Sequence, residues 1–236
     1  MILAHQNDVM ESPPEQHRTP AWLRRGDPES TLPVLIAVVA VMALQLAIPK
    51  GYTLVPRWPL VVLEGLLLLA LLAINPRVMT RRTRFGRYTT WVLLAAITLD
   101  NTLSAVVLAV GILSGDESND AAVLLGSGAS IIVTNVIVFG IWYWELDRGG
   151  PFARHAGERP YPDFLFPQMT TPHVAEPDWR PTFVDYLYVS VTNVMAFSPT
   201  DTMPLARWAK MMMTVQAIVA LGTAGLVIAR AVNVLN

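Results

Sequence analysis

The sequence contains no cysteine and little charge. The missing cysteine excludes disulfides, thiolate nucleophiles and cysteine-ligated metals. Only 15% of the 236 residues are charged and 53% are hydrophobic, whereas soluble domains average about 25% charged. The formal net charge is −1, so no basic surface for nucleic acid is indicated. This balance predicts an integral membrane protein whose partner is the lipid bilayer.

Patterns typical of catalysis are also missing. The four histidines lie at positions 5, 17, 155 and 173, in polar stretches, so no buried acid–base pair is predicted. No glycine-rich phosphate loop is present. The histidines and acids of residues 148–182 fit no known metal motif, which leaves a metal site there as a minor alternative. We predict no enzymatic activity, no metal and no cofactor.

Five apolar stretches are long enough to cross a bilayer, which takes about 20 residues. They cover about 31–48, 58–75, 89–113, 121–143 and 206–233. In lipid every backbone polar group must be satisfied internally, so these stretches must be helices. The predicted fold is all-α and polytopic, with five transmembrane helices and a re-entrant segment near the C-terminus.

Composition divides the chain into four parts. Residues 1–30 are proline-rich and polar, which predicts a flexible tail. Residues 31–147 form a domain of four transmembrane helices. Residues 148–182 contain seven prolines and form a connecting loop. Residues 183–236 comprise a pore-like helix, a loop and an inner helix.

Arginines indicate the orientation. Residues 77–88 contain five arginines and residues 114–120 (SGDESND) none, so the positive-inside rule predicts a cell (inner or plasma) membrane protein with a cytoplasmic N-terminus. The same rule places residues 148–182 inside.

The stretch 183–197 is apolar but too short to span, and an irregular polar stretch follows it. FVDYLYVSVT (183–192) resembles the pore helix of potassium channels, and Asp201-Thr-Met-Pro204 is similar to the segment after their filter. The resemblance implies that 206–233 is an inner helix, that 121–143 is an outer helix and that the protein is a tetramer. The chain is more similar still to a bacterial membrane family of unknown function with the same degenerate pore-like segment.

The resemblance conflicts with the orientation given by the arginines. In potassium channels the residues before the pore helix lie outside the cell, so either this unit is inverted or the positive-inside rule misleads.

The filter-like segment lacks the glycines of a potassium filter. It consists of Ala196, Phe197, Ser198, Pro199, Thr200 and Asp201. Pro199 fixes its own φ and restricts Ser198, so stacked carbonyl rings are not expected. Asp201 is predicted to form a ring of carboxylates in an oligomer, to cap a helix beginning near Leu205, or to do both, since the two roles are compatible.

Several polar residues fall within the apolar stretches. Counting from the arginine-rich connection places Glu64 and Asp100 at one depth, and Asn135 matches Asp100. They predict either a proton or cation site or a hydrogen-bonded cluster that joins helices. Gln216, Thr223 and Arg230 recur every seven residues and either line an aqueous path or pack against a polar helix.

Three functions fit these patterns. The first is a weakly selective channel for monovalent cations, formed by a homo-oligomer. The second is a non-conducting membrane scaffold that keeps the pore architecture. The third is a small proton-coupled transporter that uses Glu64 and Asp100.

Overall fold

The computed structural model describes residues 19–49, 56–80, 82–115, 120–196 and 201–235. Most of these residues are helical, as predicted. In chain order the α-helices are α1 (Leu32–Ala47), α2 (Trp58–Ile74), α3 (Arg84–Ser114), α4 (Ala121–Leu146), α5 (Pro151–Ala156), α6 (Pro167–Thr170), α7 (Phe183–Met195) and α8 (Arg207–Leu235). Short 3₁₀ turns lie at Ala21–Leu23 and Asp147–Gly149.

Among the described residues, three helical stretches are long and apolar enough to cross a membrane. They are α3, the stretch Ala121–Ala156 and the stretch Arg207–Val234. Helices α1 and α2 have 16 and 17 residues, about 24–26 Å at 1.5 Å per residue, and a hydrocarbon core is about 30 Å thick. Prolines bound both: Pro33 and Pro59 lie in their first turns, and Pro49 and Pro76 follow their ends. Membrane location is therefore supported, while the count of five spans stays a prediction.

Helix α2 buries a polar side chain and exposes apolar ones. In α2 the buried side chain is Glu64, which is 0% exposed, whereas Leu63, Leu66 and Leu69 are 45–63% exposed. A helix packed in a water-soluble protein shows the opposite pattern. Outward leucines cost nothing where the surroundings are hydrocarbon, so this arrangement suits a bilayer.

Helix α4 packs against α1, α3, α7 and α8. Two glycines allow close approach: a Cβ added to Gly128 would lie 2.9 Å from the methyl groups of Val227, and one added to Gly140 would lie 3.1 Å from the Cα atom of Leu187. Small residues at helix contacts are the usual means of close packing in membranes. The packing of α7 and α8 on the bundle therefore depends on α4.

A two-stranded antiparallel sheet was not predicted. Strand β1 (Phe164–Leu165) pairs with β2 (Met203–Pro204), with Phe164 opposite Pro204 and Leu165 opposite Met203. Strands of two residues are too short to show alternating polarity in the sequence. The sheet ties the segment before α7 to the segment before α8.

Three polar segments meet at one end of the bundle, which we call the polar end: residues 19–30, residues 77–80 with 82, and residues 148–182. The Thr31 N–H donates to the Arg77 carbonyl, and the Gly26 N–H donates to the His155 carbonyl. The Arg82 guanidinium pairs with the Glu158 carboxylate at 2.8 Å. The N-terminal segment, the arginine-rich connection and the proline-rich loop therefore lie on the same side.

Helix α7 begins at the polar end and the chain later returns there. Near its start, the Tyr186 hydroxyl donates to the Asp147 carboxylate at 2.6 Å. Near its end, the Asn193 amide donates to the Met213 carbonyl at 2.9 Å, six residues into α8, or about 9 Å along it. Strand β2 is back beside β1 at the polar end.

Candidate functional site

A cluster of polar and charged side chains joins α1, α2 and α3; we call it the buried cluster. Its centre is the Gln45 amide, whose nitrogen donates to Glu64 Oε1 at 3.2 Å and to Asp100 Oδ2 at 3.4 Å. Gln45 is 1% exposed and Glu64 is 0% exposed. The two acids predicted at one depth therefore share one amide donor.

Arg57, immediately before α2, completes the buried cluster. Its guanidinium donates to the Gln45 carbonyl at 2.7 Å and to the Ser104 hydroxyl. The same group lies 3.9 Å from Asp100 Oδ2. The Arg57 side chain is 6% exposed and that of Asp100 is 15% exposed, so the ion pair is largely removed from water.

The charges of the buried cluster balance when the cluster holds one proton. One guanidinium faces two carboxyl groups, so a single proton shared by Glu64 and Asp100 makes the cluster neutral. Glu64 Oε2 is buried and has no hydrogen-bond partner among the described residues. Because uncompensated charge is costly away from water, the neutral form fits these surroundings.

The sequence analysis missed three members of the buried cluster. Gln45 is the one polar residue between Pro33 and Ile48. Its isolation in an apolar stretch could have identified it, but a hydropathy average over the stretch hides a single polar residue. Ser104 follows Asp100 by four residues, which places both on one helix face. Arg57 lies in the connection before α2, and a long side chain beside a helix start can reach inward.

Asn135 is buried in α4 and is 1% exposed. In the described part of the chain its Oδ1 atom has no hydrogen-bond partner. No hydrogen bond between described residues joins it to Glu64 or Asp100. Asn135 is therefore not a member of the buried cluster, although the sequence predicts it at the same depth as Asp100.

A second polar network surrounds Gln216 of α8. Its Oε1 atom accepts from the Tyr143 hydroxyl at 2.6 Å and from the Asn193 amide at 2.8 Å. Its Nε2 atom donates to the Ser190 hydroxyl at 2.6 Å, and that hydroxyl donates to the Val136 carbonyl. Gln216 is 0% exposed, so within one chain it joins α4, α7 and α8 and does not line a path.

Thr223 and Arg230 continue the same face of α8. Thr223 is buried and Arg230 is half-buried. Val227, between them, packs against Gly128 of α4. Of the two interpretations of this stripe, the contacts favour packing between helices.

The filter-like segment is described only at its ends. The Ala196 N–H donates to the Thr192 carbonyl at the end of α7, and Ala196 is exposed. Phe197, Ser198, Pro199 and Thr200 lie outside the described residues. Asp201 is exposed. Helix α8 begins at Arg207, six residues after Asp201, and a cap by Asp201 stays a prediction.

A third network fixes the polar end. Asp147 Oδ1 accepts from the Asp163 and Phe164 N–H groups at 2.9 and 3.3 Å, and Oδ2 accepts from Tyr186. Asp163 in turn accepts from the Trp208 indole at 3.1 Å. One carboxylate after α4 thereby orients β1, α7 and, through Asp163, the start of α8.

Arg154 connects this third network to the N-terminal segment. Its guanidinium donates to the Trp144 carbonyl at 2.5 Å and pairs with Glu29 at 3.1 Å. No pattern in the sequence indicates these contacts, because Arg154 and Glu29 are 125 positions apart and the proline-rich loop shows no periodic pattern. The described residues 148–182 include α5, β1 and α6.

In the described part of the chain, no group of three or more histidines and acids is placed to hold a metal ion. Comparison with family models, curated proteins and solved structures finds no match for this chain. Its function has to be inferred from the geometry above.

Proposed function

We propose that this chain is a five-span membrane protein whose α7–α8 unit forms, in a homo-oligomer, a weakly selective path for monovalent cations. The observation that carries the proposal is the course of α7. The helix begins at the polar end and ends beside Met213 of α8, and the chain is back at the polar end by Met203. This is the course of a re-entrant segment.

The end of α7 favours a cation. The carbonyl end of a helix carries a partial negative charge, and here no basic residue lies in the last turn. Half-helices that end at membrane depth use their carbonyl ends to attract cations. Asp201, exposed two residues before β2, adds a carboxylate to the segment by which the chain returns.

The exposed face of α7 favours an oligomer. Val184, Tyr188, Val191 and Met195 lie on one face and are 38–75% exposed, while the opposite face packs on α4 and α8. Irregular backbone at membrane depth requires shielding by protein or by a water-filled cavity. Further copies of the chain provide that shielding in our proposal.

The three polar segments lie at one end of the bundle, and this position bears on the orientation of the α7–α8 unit in the membrane. With the arginine-rich connection in the cytoplasm, α7 enters from the cytoplasmic side. The unit is then inverted relative to potassium channels, and the arginine rule needs no exception.

Purified protein in planar bilayers tests this function. We expect cation currents with little preference for potassium over sodium, and we expect Asp201→Asn to lower the preference for cations over anions. Asp178→Asn, an equal charge change at an exposed loop position, is the matched control and should have no effect. An absence of current under all gradients and voltages would favour the non-conducting scaffold.

A proton-coupled transporter is the second candidate, and the buried cluster favours it. A cluster that is neutral with one proton can bind and release that proton while Arg57 stays in place. The test uses liposomes containing a pH-sensitive dye and an imposed membrane potential. Proton entry that Glu64→Gln abolishes and Asp201→Asn leaves unchanged would support this candidate over the channel.

A further inference from the structure

An apolar cleft opens between α1, α2, α3 and α4 near the polar end. The space between its walls, counted together with the open space outside its mouth, is about 1000 Å³. The walls include Val38, Leu68, Leu71, Leu94 and Ile141, one or more from each of the four helices. Val38 lies six residues into α1 and Leu94 ten residues into α3, so the cleft extends about 9–15 Å from the helix starts.

Two arginines stand at the mouth of the cleft. Arg87 lies with its guanidinium carbon 4.7 Å from the centre of the Trp91 ring. Arg82 pairs with Glu158, and both of these side chains are 48% exposed. Exposed pairs contribute little stability, so an incoming anion can replace Glu158. Glu145 is the one acid in the described lining of the cleft. The lining, which includes both arginines, therefore carries more positive than negative side chains.

We propose that the cleft binds an anionic phospholipid from the leaflet beside the arginine-rich connection. One acyl chain occupies the cleft, because an unfilled apolar cleft open to hydrocarbon loses dispersion contacts on all its walls. The phosphate lies between Arg82 and Arg87, which provide charge-assisted hydrogen bonds. Basic pockets between transmembrane helices on the cytoplasmic side are where anionic head groups bind. The proposal needs membrane residence but not a pore.

Native mass spectrometry on protein incubated with equal amounts of phosphatidylglycerol and phosphatidylcholine tests this site. We expect the protein to retain phosphatidylglycerol about tenfold better, which corresponds to one charge-assisted contact. The double substitution Arg82→Gln and Arg87→Gln should remove this preference. Leu71→Trp, which fills the cleft, should lower retention of both lipids.

Matched controls lie close by. Arg84→Gln removes an exposed arginine between the other two that does not line the cleft, and Leu69→Trp enlarges a residue of α2 that is 63% exposed. Equal retention of the two lipids by the unsubstituted protein would overturn the proposal, as would loss of preference in Arg84→Gln. If Leu71→Trp does not fold, the exposed arginine substitutions decide alone. These substitutions leave α7 and α8 unchanged, so the cation currents test the proposed pore separately.

Discussion

One guanidinium, that of Arg57, faces two carboxyl groups where water is scarce. Its contacts reach the Gln45 carbonyl, the Ser104 hydroxyl and Asp100. A buried ion pair adds little net stability compared with apolar residues of the same size, but removal of one partner leaves the other charge uncompensated. Arg57 therefore affects stability mainly because its removal would leave the buried carboxyl groups of Asp100 and Glu64 without a cation.

Replacement of Arg57 by methionine should destabilise the protein by about 3 kcal/mol. The reason is that Asp100 and Glu64 lose their cation while they remain buried. Thermal unfolding in detergent measures the change, with Arg84→Met at an exposed position as the control. Addition of Asp100→Asn should restore part of the loss, because the two sites are coupled. Independent, additive effects would contradict the ion pair.

Replacement of Gln216 by leucine should cost about 1–3 kcal/mol, because the buried Tyr143 hydroxyl loses its partner and Ser190 and Asn193 each lose one of theirs. The same unfolding measurement applies. Thr214→Val, on the exposed side of α8, serves as the control and should change stability little. If Gln216→Leu were equally harmless, Gln216 would not join the three helices.

At the scale of elements, α4 is the helix on which α7 and α8 depend. Its glycines differ in their surroundings: Gly128 meets Val227, whereas a Cβ at Gly126 would meet nothing within 4 Å. The two positions are two residues apart, so they form a natural pair for comparison.

Gly128→Ala should destabilise the protein by about 1–3 kcal/mol, because the new methyl group would press on the stiff β-branched side chain of Val227. Gly126→Ala should change stability little. Addition of Val227→Ala to Gly128→Ala should recover part of the loss. Thermal unfolding checks all three, and equal effects at Gly126 and Gly128 would mean that α8 does not approach α4 at this point.

The sequence predicted the helices better than it predicted the site. Long apolar runs located α1, α2, α3, α4 and α8 because lipid permits few alternatives to helix. Counting residues along the helices placed Glu64 and Asp100 at one depth. The count gives depth in the membrane but not the direction in which a side chain points, so it also grouped Asn135 with them. Arg57 and Asp147 act on distant residues through their side chains, and no local pattern in the sequence records such contacts.

At the scale of the whole molecule, the polar segments are gathered at one end. Residues 19–30, 77–80, 82 and 148–182 exchange hydrogen bonds there. The bundle therefore has an end rich in polar contacts and a surface of outward leucines, valines and isoleucines. This division predicts a single orientation in the membrane.

Single-cysteine labelling tests that orientation, since the native chain has no cysteine. Cysteines at the exposed positions Thr80 and His173 should react with an impermeant reagent from the same side, the cytoplasmic one. A cysteine at Ser118, outside the described residues, should react from the opposite side. Labelling of positions 80 and 173 from different sides would exclude an inverted α7–α8 unit.

The buried cluster also bears on the biosynthesis of this protein. Its charged groups come from the start of α2 and from the middle of α2 and α3, while the Gln45 amide that joins them comes from α1. Each isolated charged side chain at the centre of an inserting helix costs about 2.5–3.5 kcal/mol. If α1 and α2 span the membrane as we propose, the first three helices are the smallest portion of a nascent chain that can leave the insertion machinery with these charges compensated.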